Sequence, residues 1–202
     1  MLDGLIRGVI DPPMNRSGRW LAAQGASANA VTLIGLGLGL LAAGLLAFGH
    51  AGLLVVLPLL ASRLADGLDG AVARASGKTD FGGFLDIVCD FAFYAAIPLA
   101  FVLRDPAANG AAGAFLLLSF YVNGATFLGY AILAAKRGLE TRSRGEKSLY
   151  FTAGLLEGSE TIAFFVLIVI WPASFAPAAW VFGALCLVTA LARVILARRA
   201  FG

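Results

Sequence analysis

The chain has 202 residues, 60% hydrophobic and 13% charged, with a formal net charge of +3. Soluble domains run at about 45–50% apolar and about 25% charged, so this balance, with a mean hydropathy of +0.88, excludes a cytosolic or secreted globule. It points to an all-α, polytopic integral membrane protein whose length suits one membrane domain over 1–202.

Residues 1–25 are mixed: Leu2, Leu5, Ile6, Val9 and Ile10 sit beside Arg7, Arg16 and Arg19, and Pro12-Pro13 interrupts the stretch. This reads as a short amphipathic helix lying in the membrane interface, broken at the prolines and followed by a loop. No signal-peptide pattern is present. A bilayer core is crossed by about 20 apolar residues in a helix. Six such stretches follow, near 30–49, 52–73, 83–104, 110–135, 149–171 and 175–197, giving a six-helix bundle over 30–197. Gly35, Gly37, Gly39 and Gly44 on the first permit close helix packing, either within the chain or across a homodimer contact. Cys89 and Cys186 both fall inside predicted helices, so no disulfide framework is indicated. His50, alone in a tiny loop, reads as functionally inert.

Twelve of the 15 lysines and arginines fall in 1–25, in the loops after the second and fourth helices, and at the C-terminus. The positive-inside bias places both termini on the cytoplasmic side, together with the loop after the second helix. The expected location is a bacterial inner membrane. The basic loops suit anionic membrane lipids, and nothing resembles a basic domain or aromatic platform for nucleic acid.

The chemistry is concentrated in 66–90, DGLDGAVARASGKTDFGGFLDIVCD, which holds five of the 12 acidic residues. Asp66 and Asp69 are three apart and Asp86 and Asp90 four apart, so each pair shares a helix face. The glycine-containing stretch between the pairs makes the second and third helices a hairpin, on which four carboxylates converge below the headgroup level. Each charge there costs about 3 kcal/mol on insertion scales, and mutual repulsion adds to it. Arg63 and Arg74 supply two positive charges, and a divalent ion would supply the rest. All-oxygen donors suit Mg²⁺, Mn²⁺ or Ca²⁺ rather than zinc. Gly67, Gly70, Ala71, Ala73, Gly82 and Gly83 let a bulky polar ligand approach the backbone. Small residues, carboxylates and Arg74 together suggest phosphate handling. A transporter using intramembrane acids is the alternative, but helices 1, 4 and 6 carry no acid across the bilayer and no inverted repeat is evident.

Asp66-x-x-Asp69-Gly70-x-x-Ala73-Arg74, followed after seven residues by Gly82-x-x-x-Asp86-x-x-x-Asp90, resembles the signature of the CDP-alcohol phosphotransferases, with every defined position filled. The resemblance extends to six transmembrane helices and an N-terminal interfacial helix. It implies transfer of a phosphatidyl or similar group from a CDP-linked lipid donor, such as CDP-diacylglycerol, to a small alcohol acceptor, with release of CMP. By position it implies that Asp66, Asp69 and Asp86 hold two divalent ions, Mg²⁺ or Mn²⁺, and that Asp90 is the general base with contact to the second ion. Gly70, Ala73, Arg74 and Gly82 would line the nucleotide and diphosphate site together with Asp69. The family's Pro-Asn-x-x-Thr before the first transmembrane helix is here Ala28-Asn29-Ala30-Val31-Thr32, with alanine for proline. Asn29 and Thr32 are therefore either cytidine-pocket residues or simple helix caps.

The acceptor is read from SRGEKSLYFTAGLLEGSETIAFF, before and within the fifth helix. Lys147 and Ser148 stand at its membrane edge, Glu157 and Glu160 deeper. The glutamates either bind an ammonium or polyol acceptor, with Tyr150 and Phe151 adding a cation–π contact, or pair with Arg193 or Lys147. Arg142 and Arg144 lie in the loop, where topology explains them, which favours an unphosphorylated acceptor.

Overall fold

The computed structural model describes residues 3–138 and 158–202, and side chains from residue 11 onward among them. These residues fold into seven α-helices in chain order: α1 Asp3–Ala23, α2 Ala28–Ala47, α3 Leu53–Ser76, α4 Asp80–Arg104, α5 Pro106–Lys136, α6 Gly158–Ile170 and α7 Phe175–Phe201. A 3₁₀ turn, Pro172–Ser174, joins α6 to α7. In hydrocarbon every backbone donor and acceptor must be satisfied within the protein, and helices do this segment by segment.

Among the described residues four helices, α2, α4, α5 and α7, are both long and apolar enough to cross a membrane. The 24 residues of α3 span roughly 36 Å, long enough to cross, but Arg63, Asp66, Asp69 and Arg74 lower its hydropathy. The described part of the fifth expected span is α6, 13 residues. The chain is an all-α integral membrane protein. Leucines and other large apolar residues on the outer faces, such as Leu33, Ile34, Leu57, Leu103, Leu118 and Val188, are exposed as a lipid-facing surface requires.

Two expectations about helix ends are corrected. First, Pro12-Pro13 does not break α1, which runs unbroken from Asp3 to Ala23. The two prolines forfeit helix donors, but the following half of α1 is held by α3. Gly18 is packed so tightly that a Cβ there would lie 2.5 Å from Ala71 Cβ and 2.7 Å from the Ala71 carbonyl carbon. Met14 covers Gly67, and Asn15 bonds Arg74. Tertiary packing overrides the local breaker. Gly18→Ala is therefore expected to push α1 off α3, costing about 1–3 kcal/mol by overpacking. The check is a lowered melting temperature in detergent, larger than that for Gly37→Ala, where an added methyl would meet nothing within 4 Å.

Second, the reversal between α3 and α4 is only Gly77–Thr79, tighter than the gap left between the expected spans 52–73 and 83–104. Gly77 closes α3 with φ 107°, a conformation open to glycine. Thr79 caps α4, its Oγ1 accepting from Gly82 N at 3.0 Å. Each helix gains three residues at this end, so the carboxylates sit on continuous helix.

The core lies where α2, α3, α4 and α6 meet, with α5 packed beside α4 and α7 along α5. Phe93, Phe101, Phe165 and Phe175 are fully buried. Phe101 stacks on Phe175 at 4.2 Å and Phe164 on Phe182 at 4.1 Å. Of the α2 glycines, Gly35 faces Ala65 and Gly39 faces Phe93 and Ser62, so these two serve packing within the chain. Gly37 and Gly44 have no neighbour within 4 Å. On the opposite side His50 is a backbone acceptor for Arg104, at 2.7 Å, and Cys89 and Cys186 are free and buried.

Candidate metal and nucleotide site

The two helices of the α3–α4 hairpin bring their acids together as the spacing requires. Asp66, Asp69 and Asp86 each contribute a carboxylate oxygen, and these oxygens lie within 4.8 Å of one another. Asp69 is buried and the other two half-buried. Their donor chemistry fits a hard divalent ion: three carboxylates, glycine and alanine around them, and neither thiol nor imidazole in the group.

Asp90, one turn along α4 from Asp86, is not among the three. Its Oδ1 accepts from Arg63 Nη1 at 2.7 Å, and the same nitrogen lies 3.6 Å from Asp66 Oδ1. Arg63 is three residues before Asp66 on α3, so the hairpin holds two layers. The three carboxylates form one layer, and an Arg63–Asp90 pair lies one turn further along both helices.

The first transmembrane helix reaches the same place. Thr32 Oγ1 lies 2.6 Å from Asp69 Oδ2 and 3.0 Å from Ala28 O, so its single proton is shared between them. Asn29 lies over Gly82, where a Cβ would come 3.1 Å from Asn29 Oδ1. The helix cap belongs instead to Ser27, whose Oγ accepts from Ala30 N at 3.2 Å. Ser27, not Asn29 or Thr32, is thus the helix cap, and Thr32 is directed at α3 while Asn29 lies against α4.

On the other flank Arg74 is exposed in the last turn of α3. Its Nε and Nη2 donate to Asn15 Oδ1 at 3.1 and 2.8 Å, and it passes beside Gly70, where a Cβ would meet Nη1 at 3.4 Å. Ala73 is half-buried in the same turn. Asn15 is a site neighbour that sequence reasoning missed. It lies 59 residues from Arg74 in a segment of mixed composition, and no local pattern marks it. Of the acceptor-site candidates, Lys147 and Glu157, with Arg142, Arg144, Ser148, Tyr150 and Phe151, lie outside the described residues. Glu160 is in the first turn of α6 and its Oε2 accepts from Ser159 Oγ at 3.1 Å. Arg193 Nη1 donates to the Asn123 carbonyl, Asn123 Oδ1 and Thr126 Oγ1 at 2.9–3.0 Å, tying α7 to α5.

The family pattern described as CDP-alcohol phosphatidyltransferase matches residues 26–195. The chain belongs to the CDP-alcohol phosphatidyltransferase family. As a phosphatidyltransferase it is an enzyme that moves substituted phosphate groups in phospholipid biosynthesis. It is 46% identical over 195 residues to the inner membrane protein YnjF of Escherichia coli (strain K12), covering 96% of this chain and 94% of that protein. It is 40% identical over 86 residues to the archaetidylinositol phosphate synthase of Pyrococcus horikoshii, covering 42% of this chain and 45% of that one. The fold resembles the crystal structure of Mycobacterium tuberculosis phosphatidylinositol phosphate synthase (PgsA1) with CDP-DAG bound. The TM-score is 0.61 and the identity 22%, over 90% of this chain and 91% of that one.

Proposed function

We propose that this phosphatidyltransferase moves a phosphatidyl group from a CDP-linked lipid such as CDP-diacylglycerol to a hydroxyl of a small alcohol, releasing CMP. The observation that carries the reading is the convergence of Asp66, Asp69 and Asp86 within 4.8 Å, beside a fourth carboxylate, Asp90, bonded to Arg63. The reaction runs at the cytoplasmic face of one membrane domain, supported by the basic residues grouped on that side. A bacterial inner membrane is the setting, in line with the name of the Escherichia coli relative.

Asp66, Asp69 and Asp86 would hold Mg²⁺ or Mn²⁺, which when bound supplies charge neutralisation on the diphosphate and on departing CMP. Thr32 fixes the Asp69 carboxylate by its hydrogen bond, an outer-layer contact that keeps one oxygen oriented. Asn29 and Gly82 form one wall of the nucleotide site, and Gly70, Ala73 and Arg74 line the diphosphate side. Small residues at 70, 73 and 82 leave the backbone open to a phosphate, and Arg74 gives it a planar donor fork. Asp90 takes the proton from the acceptor hydroxyl as that oxygen attacks the β-phosphorus, and the bond to the CMP oxygen breaks. The donor's acyl chains stay in the bilayer, which is why the carboxylates lie on membrane helices.

Lys147, Glu157 and Glu160 are proposed to face the acceptor. A phosphorylated polyol is a second reading for that acceptor, since two of the similar proteins are named as an archaetidylinositol phosphate synthase and a phosphatidylinositol phosphate synthase. Purified protein in lipid is tested with CDP-diacylglycerol, Mg²⁺ or Mn²⁺, and one acceptor per reaction: choline, ethanolamine, serine, glycerol, inositol or an inositol phosphate. CMP release with one acceptor is expected. Release with none of them, from protein that still folds, would reject the proposed donor–acceptor pair.

A further inference from the structure

Arg63 is not one of the eight motif positions, yet its Nη1 bonds Asp90 Oδ1 at 2.7 Å. Its guanidinium carbon lies 3.8 Å from the centre of the Phe93 ring and 5.7 Å from that of Tyr94. Nη2 donates to Ser62 Oγ at 3.2 Å, and Nη1 donates to Asp90 Oδ1 at 2.7 Å. Its side chain is 9% exposed, against 34% for Asp90. Phe93 is itself fully buried, with Phe165 5.9 Å away edge-on. The guanidinium carbon thus sits over a fully buried ring, and Nη2 is bonded to Ser62. A cation packed and bonded in this way has little rotational freedom left. A counter-charge serving only the acidic cluster would not need this scaffold. Arg63 also bonds the one carboxylate that is not in the three-oxygen group, and it stands farther from Asp66, at 3.6 Å.

We infer that Arg63 is a positioning residue for Asp90: it holds Oδ1, with Oδ2 as the oxygen that receives the acceptor's proton. The inference rests on the reading of Asp90 as the base. The proton passes from the acceptor hydroxyl to Oδ2, the acceptor oxygen bonds to the β-phosphorus, and the electron pair of the broken P–O bond leaves with CMP. Arg63 keeps all its protons throughout. Its contribution is geometric and belongs to the chemical step, not to donor binding.

The test compares Arg63→Met, Arg63→Lys and Asp90→Asn in the CMP-release assay, with kcat, donor KM and half-saturating Mn²⁺ measured for each. Loss of a well-placed base contact predicts a fall in kcat on the order of 10²-fold for Arg63→Met, with donor KM and Mn²⁺ response near wild type. Arg63→Lys retains one donor and should recover part of kcat. If Arg63→Met does not fold, Arg63→Lys alone decides, by a lower kcat at unchanged donor KM. Wild-type kcat in the folded Arg63 variants, while Asp90→Asn is inactive, overturns the positioning role and leaves the base reading intact. Wild-type kcat in Asp90→Asn overturns the base reading, and the inference with it. A changed Mn²⁺ response with unchanged kcat would make Arg63 a counter-charge for the acidic group only, which also overturns the inference.

Discussion

Asp90→Asn is expected to lower the rate of CMP release by about 10²–10⁴-fold, the span that general-base catalysis contributes, while the protein remains folded. The substitution changes almost nothing but charge and basicity. Asparagine has nearly the same shape, and its carbonyl oxygen can still accept from Arg63 Nη1, now 2.7 Å from Asp90 Oδ1. The guanidinium keeps its place over Phe93 and its bond to Ser62. Asp66, Asp69 and Asp86 retain their grouping, so donor KM should stay near wild type. The loss should therefore appear in kcat, which marks an interaction made in the transition state rather than in substrate binding. Turnover at the wild-type level would remove Asp90 from the role of base. Loss of donor affinity in proportion to the loss of rate would instead assign it to the binding group.

Much of this site could be read from spacing. Intervals of three and four residues on continuous helix dictate that Asp66 pairs with Asp69 and Asp86 with Asp90, and a short reversal dictates that the pairs meet. Those are local rules, and the structure follows them. The sequence could not show that Arg63 bonds Asp90 while lying over Phe93 of the neighbouring helix, contacts between residues far apart in the chain. Asn29 and Thr32 left two readings open because a polar residue at a helix start can cap or bind. Only the placement of Ser27 as the cap, and of α2 against α3, separates them. The proline pair in α1 misled for the same reason. The local cost of Pro12-Pro13 is real, and what overrides it is the close fit of Gly18 on Ala71, invisible without the partner helix.

The second large effect concerns the three grouped carboxylates. Asp69→Ala or Asp86→Ala should raise half-saturating Mn²⁺ by at least on the order of 10–100-fold, since loss of an outer-layer partner alone gives that range. Calorimetric titration of Mn²⁺ reads this directly, without needing turnover. Asp69 should show the stronger effect: it is buried, 6% exposed, and Thr32 fixes its second oxygen, so its site is more fully preorganised than that of half-buried Asp86. Asp80→Asn supplies the contrast. Asp80 belongs to the same acidic stretch but is exposed in the first turn of α4, where its charge only complements the helix dipole, worth about 0.3–1 kcal/mol. Its removal should leave Mn²⁺ affinity unchanged. If all three variants weakened Mn²⁺ binding alike, the effect would be the summed negative field of the hairpin, and the assignment of Asp66, Asp69 and Asp86 as individual ligands would fail. A large loss at Asp69 and Asp86 with none at Asp80 is the pattern direct ligation predicts, because a field summed over the hairpin would respond to the loss of any of its acids.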